Sequence, residues 1–98
     1  MSYKVTISKR AEENLDKLVN YLESNWSTRV RDKFLTILEN KISQIAETPL
    51  IYQASGKRQN VRRCVITRQT ALYYQIKENE IEIITIQDNR RDPGRIQL

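Results

Sequence analysis

Near the start of the chain, Tyr3, Val5 and Ile7 alternate with the polar Lys4 and Thr6. That two-residue period predicts a short strand with one buried face. The period then lengthens. Ala11, Leu15, Leu18, Val19 and Leu22 recur at steps of three and four, one stripe on a helix over roughly residues 9–24. Ser8 is placed to cap it, with Glu12 and Glu13 near the positive end of its dipole. The stretch "ESNWS" interrupts the stripe, and Ser27 is the natural cap of a second helix. That helix carries Val30, Phe34, Ile37, Leu38, Ile42 and Ile45, and should end near Glu47 because Pro49 cannot continue it.

A loop over residues 48–60 leads into three segments with strand character: Val61 to Thr67, Ala71 to Lys77, and Ile81 to Gln87. In the second, Leu72, Tyr74 and Ile76 alternate against Tyr73 and Gln75. "KENE" turns the chain, with Asn79 the residue suited to a positive φ. In the third, the apolar phase slips from Ile81 and Ile83 to Ile84 and Ile86, which predicts a bulge or burial on both faces. The tail "DNRRDPGRIQL" reads as basic and partly irregular.

The expected architecture is α+β in the order β-α-α-β-β-β. A helical hairpin packs on one face of a small, mainly antiparallel sheet, and residues 1–98 form a single domain. The uncovered face is then free for polar side chains. If Cys64 and Ile66 face the helices, Arg63 and Thr67 reach the open face. The opposite register presents Arg62 instead, and the pattern of the strand alone fits both.

Charge sharpens this picture. The net charge is +5, and it is unevenly placed. Residues 1–56 carry eight basic and seven acidic side chains, whereas residues 57–98 carry nine and five. Within "KRQNVRRCVITR" five of twelve residues are basic and none is acidic. Lys57, Arg58, Arg62, Arg63 and Arg68 thus precede, occupy or follow one strand, and Arg90, Arg91 and Arg95 follow the last strand. An antiparallel meander can bring both groups together as an anion-binding face, for which the planar guanidinium fork is suited.

Composition also excludes much. The chain has no His and one Cys, which removes the usual zinc sites, Cys–His nucleophiles and Ser–His–Asp triads. Two glycines, at 56 and 94, cannot make a phosphate loop. No metal-binding carboxylate constellation stands out, so neither metal nor cofactor is expected. No apolar run approaches the length that spans a bilayer, and no signal-peptide core is visible at the start. The lone Cys64 cannot form an internal disulfide and reads as a small buried residue of a protein in the reducing cytoplasm.

The order of elements, with the segment "VRRCVITRQTALYYQIKENEIEIITIQDNRRDP", resembles the RelE/ParE superfamily of bacterial toxins. The opening "YKVTISKRAEENLDKLVNYLESNW" and the "TPLIY" ahead of the basic strand extend the likeness to nearly the whole chain. These proteins are the toxin halves of type II toxin–antitoxin modules, often first noted as plasmid-stabilisation proteins. RelE-like members cut mRNA in the ribosomal A site; ParE-like members poison DNA gyrase without nuclease chemistry.

In the RelE-type pattern, Lys57 and Arg58 match the basic approach, Arg62 or Arg63 the strand arginine, and Arg90 the arginine after the last strand. The C-terminal Tyr or His of that pattern is missing, since the chain ends "RDPGRIQL". RNA cleavage by 2′-OH attack needs groups that take and return a proton. Arginines steady phosphate charge but are poor shuttles, so a metal-independent nuclease here would lean on Arg62, Arg63, Arg90 and a tyrosine such as Tyr74. The long hairpin and the missing aromatic favour a ParE-like growth inhibitor. It would use Lys57, Arg58, Arg62, Arg63, Arg68, Arg90 and Arg91 to bind its target. The resemblance implies a cytoplasmic protein with a cognate acidic antitoxin, and DNA gyrase or ribosome-bound mRNA as target, with no membrane partner. A basic nucleic-acid-binding module without toxicity is the remaining reading.

Overall fold

Two polar caps set where the helices begin. In the computed structural model, which describes residues 2–54 and 60–88, the Ser8 hydroxyl accepts the Ala11 N–H and starts helix α1, Lys9–Asn25. Ser27 does the same for helix α2, Thr28–Glu47, by accepting the Val30 N–H. Trp26 alone separates the C-terminus of α1 from that cap, and both Trp26 and Ser27 donate their N–H to the Leu22 carbonyl. The connection is therefore tight enough to fold α2 back on α1. Arg31 braces it from outside with ion pairs to Glu23 and Asp32. The helices bury Ala11, Leu18 and Leu22 against Phe34, Leu38 and Ile45, the centres of the two expected stripes. No helix among the described residues is long and apolar enough to cross a membrane.

Under the hairpin lies a four-stranded sheet in the order β1-β4-β3-β2, with β1 at Lys4–Ile7, β2 at Val61–Val65, β3 at Thr70–Lys77 and β4 at Glu80–Asp88. β2, β3 and β4 form the expected antiparallel meander. β1 pairs in parallel with β4, because α1 and α2 lie between the two strands and return the chain to the other edge. The sheet is thus mixed, with one parallel pair. The apolar slip in β4 is a register shift opposite Tyr73 and Tyr74: Tyr74 pairs with Ile83 and Tyr73 with Thr85, leaving Ile84 unopposed. The extra residue keeps Ile83 and Ile86 in the helix-facing core and puts Ile84 against the other face.

β1 ends at Ile7, so β4 would expose its edge beyond Ile83. Helix α1 satisfies that edge. The Ser8 N–H and hydroxyl donate to the Ile83 and Ile84 carbonyls (2.9 and 2.7 Å). The Asn14 side-chain oxygen accepts both the Ile86 N–H (3.1 Å) and the buried Thr85 hydroxyl (2.8 Å). Asn14→Ala would strand two donors at once, and should cost about 1–3 kcal/mol. Denaturant unfolding at unchanged m-value is the check; a midpoint equal to that of the parent would mean water replaces the amide.

Two details depart from expectation. The positive φ in the hairpin between β3 and β4 falls on Glu78 (53°), not on Asn79. A two-residue loop can place its left-handed residue first, and the Lys77–Glu80 pairing imposes that geometry whichever side chain suits it better. The face turned away from the helices is also not bare. Val61, Ala71 and Tyr73 are buried there, with Ile84 packed against them, so this side has a small apolar cluster of its own.

Candidate functional site

The register of β2 decides which arginine faces where. Cys64 and Ile66 are buried in the core under the helices. Arg62 pairs with Tyr74 and shares the helix side; Arg63 pairs with Tyr73 and lies on the opposite face. Both sides of β2 carry apolar residues, and the choice is made by β3, whose Leu72 and Tyr74 sit in the same core as Cys64.

Arg62 is half-buried, and its guanidinium donates to the Tyr52 carbonyl at 2.7 Å. It ties the segment after α2 to the edge of the sheet, alongside the bond from the Arg63 N–H to the Gln53 carbonyl (3.1 Å). Arg63 is exposed. Its Nε donates to the Tyr73 hydroxyl at 3.2 Å, which holds the guanidinium against the sheet and leaves the outer nitrogens for a ligand. The turn after β2 brings Arg68 to the same rim. Arg63, Val65, Arg68, Tyr73 and Gln87 line a cavity of about 150 Å³ on this face, together with Asp88, whose carboxylate accepts the Thr70 hydroxyl. Among the described residues, none of Arg62, Arg63 and Arg68 is in an ion pair with a carboxylate. A guanidinium pair with no counter-ion of its own can take a phosphate or carboxylate without first displacing one.

Tyr74 sits elsewhere. It is fully buried, and its hydroxyl donates to the Pro49 carbonyl at 2.6 Å. Burial pushes its pKa up to about 12, against the opposing pull of Arg62. Tyr52, bonded to the Gln44 side chain, is likewise pushed up to about 12, by burial first and then by the neighbouring Cys64. Burial also raises the Cys64 thiol, while Tyr52 and Lys41 pull the other way. None of these three groups is set up to exchange protons near neutral pH.

The two phenols make an alkaline prediction. Their ordinary value is 10.0, and folding raises both, so between 10 and about 12 the native chain holds protons that the unfolded chain has released. Stability is untouched by these groups below pH 10 and falls as pH climbs through that window. Denaturant midpoints measured across it should decline with tyrosinate absorbance, and Tyr74→Phe should shallow the decline.

Of the residues marked in the sequence, Arg63 and Arg68 come together, Arg62 is on the other side of the strand, and Tyr74 is in the core. Lys57, Arg58, Arg90 and Arg91 lie outside the described residues. Tyr73 holds Arg63, and two positions near the basic strand were missed, Lys41 and Ile51, which approach β2 from the helix side. The apolar pair Leu50-Ile51 directly after Pro49 was the available signal for the last of these.

Solved structures share this fold. A chain of the chromosomal ParDE toxin–antitoxin system from P. aeruginosa superposes with a TM-score of 0.76 at 13% identity, over 89% of this chain and 96% of that one. A chain of the RelBE2 toxin–antitoxin complex from Mycobacterium tuberculosis gives 0.63 at 15% identity, over 90% and 99%. A mutant of E. coli toxin RelE in the free state gives 0.63 at 17%, over 94% and 88%. No curated protein sequence matches significantly. The family model for the ParE toxin of the type II toxin–antitoxin system parDE matches residues 5–93. With that match across nearly its whole length, the chain belongs to the ParE toxin family of type II toxin–antitoxin systems.

Proposed function

We propose that this toxin arrests growth by binding DNA gyrase, without nuclease chemistry, and that a cognate acidic antitoxin holds it in check in the cytoplasm. One observation carries the choice of target. The family is ParE, and around Arg63 the described side chains can bind an anion, while the tyrosine considered for proton transfer, Tyr74, is locked in the core. With no His in the chain, acid–base cleavage of RNA lacks its usual shuttle. The antitoxin follows from the net charge of +5 and from neighbours that are toxin–antitoxin assemblies, those of P. aeruginosa and M. tuberculosis and the DinJ–YafQ complex of E. coli.

The test is a titration of purified chain into a gyrase supercoiling reaction, and in parallel into a translating extract with a defined mRNA. Supercoiling should stop and the message should stay intact. Cuts within codons would move the toxin to the RelE-like class and overturn the gyrase reading. Inertness in both assays, with nucleic-acid affinity that falls steeply with salt, would leave a plain binding module. Growth arrest on expression should be rescued by a small acidic protein encoded beside the gene; a neighbour without effect counts against the antitoxin.

A further inference from the structure

Trp26 is the only tryptophan of the chain, and 63% of it stands in water. It is the single residue between α1 and the Ser27 cap, so it occupies the tip of the hairpin. The tip is held from several sides. The Trp26 and Ser27 N–H groups share the Leu22 carbonyl, the Asn25 amide donates to the Tyr21 carbonyl at 3.0 Å, and Arg31 clasps Glu23 and Asp32. An indole turns about only two side-chain torsions, and its backbone here is already fixed, so little freedom is lost when the ring is buried.

The tip also projects. Ser8 donates to the Ile83 and Ile84 carbonyls and Asn14 accepts the Ile86 N–H, so α1 advances in the direction β4 runs. The rest of α1, to Asn25, carries the tip on the order of 10 Å past the end of β4 at Asp88. The cavity of Arg63 and Arg68 opens at that same end of the sheet, where Val65 pairs with Ala71 and Thr70 with Asp88. On the α1 side of the tip, Lys17, Asn20, Tyr21, Ser24 and Asn25 line a shallow hollow of about 430 Å³. Among the described residues, Lys17 is in no ion pair.

We propose that the hairpin tip is a contact surface for gyrase, with Trp26 entering an apolar recess of that protein and Lys17 meeting a carboxylate at the rim. This rests on the reading that gyrase is the target, and it names where the toxin grips it. A projecting aromatic on a braced turn fits a concave apolar partner. The polar surround of Asn20, Ser24 and Asn25 can close water out around the ring, as at the energetic centre of a protein interface. Glu23 and Asp32 are exposed around the turn and disfavour a phosphate backbone there. They equally disfavour an acidic antitoxin, which charge draws to the cations near β2. A large partner can reach the tip and the Arg63 face together, since both lie at one end of the molecule.

The single tryptophan makes the test specific. Replaced biosynthetically by 5-hydroxytryptophan, it can be excited apart from the tryptophans of gyrase. On titration with purified gyrase its emission should shift to the blue and its quenching by acrylamide should fall about threefold or more, as a ring leaving water requires. Trp26→Ala should raise the toxin concentration that halves supercoiling about thirtyfold or more, at an unfolding midpoint equal to the parent's. Trp26→Phe should recover part of that loss, and Lys17→Glu should weaken inhibition about fivefold or more. If Trp26→Ala fails to fold, the quenching of the label in the otherwise unchanged chain decides. A label as open to acrylamide in the complex as in the free chain overturns the proposal, and so does Trp26→Ala inhibiting at the parent's concentrations. The same blue shift on concentrating the chain alone, or on adding DNA without gyrase, also overturns it, by giving the ring to a second copy or to nucleic acid. A chain that neither binds nor stops gyrase removes this inference together with the reading of the target. One that stops gyrase while its label stays unprotected removes this inference alone.

Discussion

Truncating Tyr74 to alanine should remove about 3–5 kcal/mol of stability, the range for losing a large buried aromatic. The side chain is fully buried between the sheet and the helices, and its volume is the largest among the completely enclosed residues of the described part of the chain. Its hydroxyl is also the donor to the Pro49 carbonyl, the point at which the chain leaves α2 and turns toward β2. Both losses fall on a chain of 98 residues, and small domains have only about 5–15 kcal/mol in total. Tyr74→Phe isolates the polar part. It keeps the ring and strands the buried carbonyl, for a loss of about 1–3 kcal/mol. Urea unfolding of both variants gives the sizes. The phenylalanine variant should still arrest growth at a temperature where it is folded. A phenylalanine variant as stable as the parent but without toxicity would mean that the hydroxyl reaches the target, contrary to its burial.

That pair of variants also bears on how the sequence encodes the site. The two helix stripes were legible because a 3.6-residue period cannot be satisfied by a strand, and Ser8 and Ser27 stand where an N-cap must. The slip in β4 was legible because a strand with a strict two-residue period cannot bring both Ile83 and Ile86 to one face. The parallel pairing of β1 with β4 was not, since local patterns say nothing of which distant edge a strand will join. β2 defeated the pattern for a different reason. Val61 and Val65 alternate with Cys64 and Ile66 out of phase, so both faces looked apolar, and both are: one joins the main core and the other the small cluster with Tyr73.

Arg62 shows the limit most clearly. Next to Arg63, and indistinguishable from it by composition, it is held by a carbonyl ten residues earlier, a contact set by how the 48–54 segment returns over the edge. Arg63 is held by a hydroxyl ten residues later, across the hairpin. Adjacent identical side chains thus acquire different work from strand alternation alone. Asn14 was invisible in the same way, since its value lies in an edge of β4 seventy-two residues away.

The division between the two arginines leads to the second large effect. Arg63→Ala should weaken target binding by about 2–5 kcal/mol, roughly thirtyfold or more, while changing stability by no more than about 0.5–1 kcal/mol. The side chain is exposed, and what it loses inside the protein is one bond to Tyr73. What it offers outward is a fork of nitrogens fixed in place by that bond and, among the described residues, in no ion pair with a carboxylate. Arg63→Lys keeps the charge but cannot hold Tyr73 and present a fork at once, so it should restore only part of the affinity. Arg62→Ala should behave in the opposite sense: about 1–3 kcal/mol of stability lost with its bond to Tyr52, and target affinity close to the parent's once folded. Dose–response curves for gyrase inhibition, set beside unfolding midpoints, separate the two. Equal losses of inhibition in both variants, scaling with their stability, would show that the open face contributes nothing specific to the toxin's action.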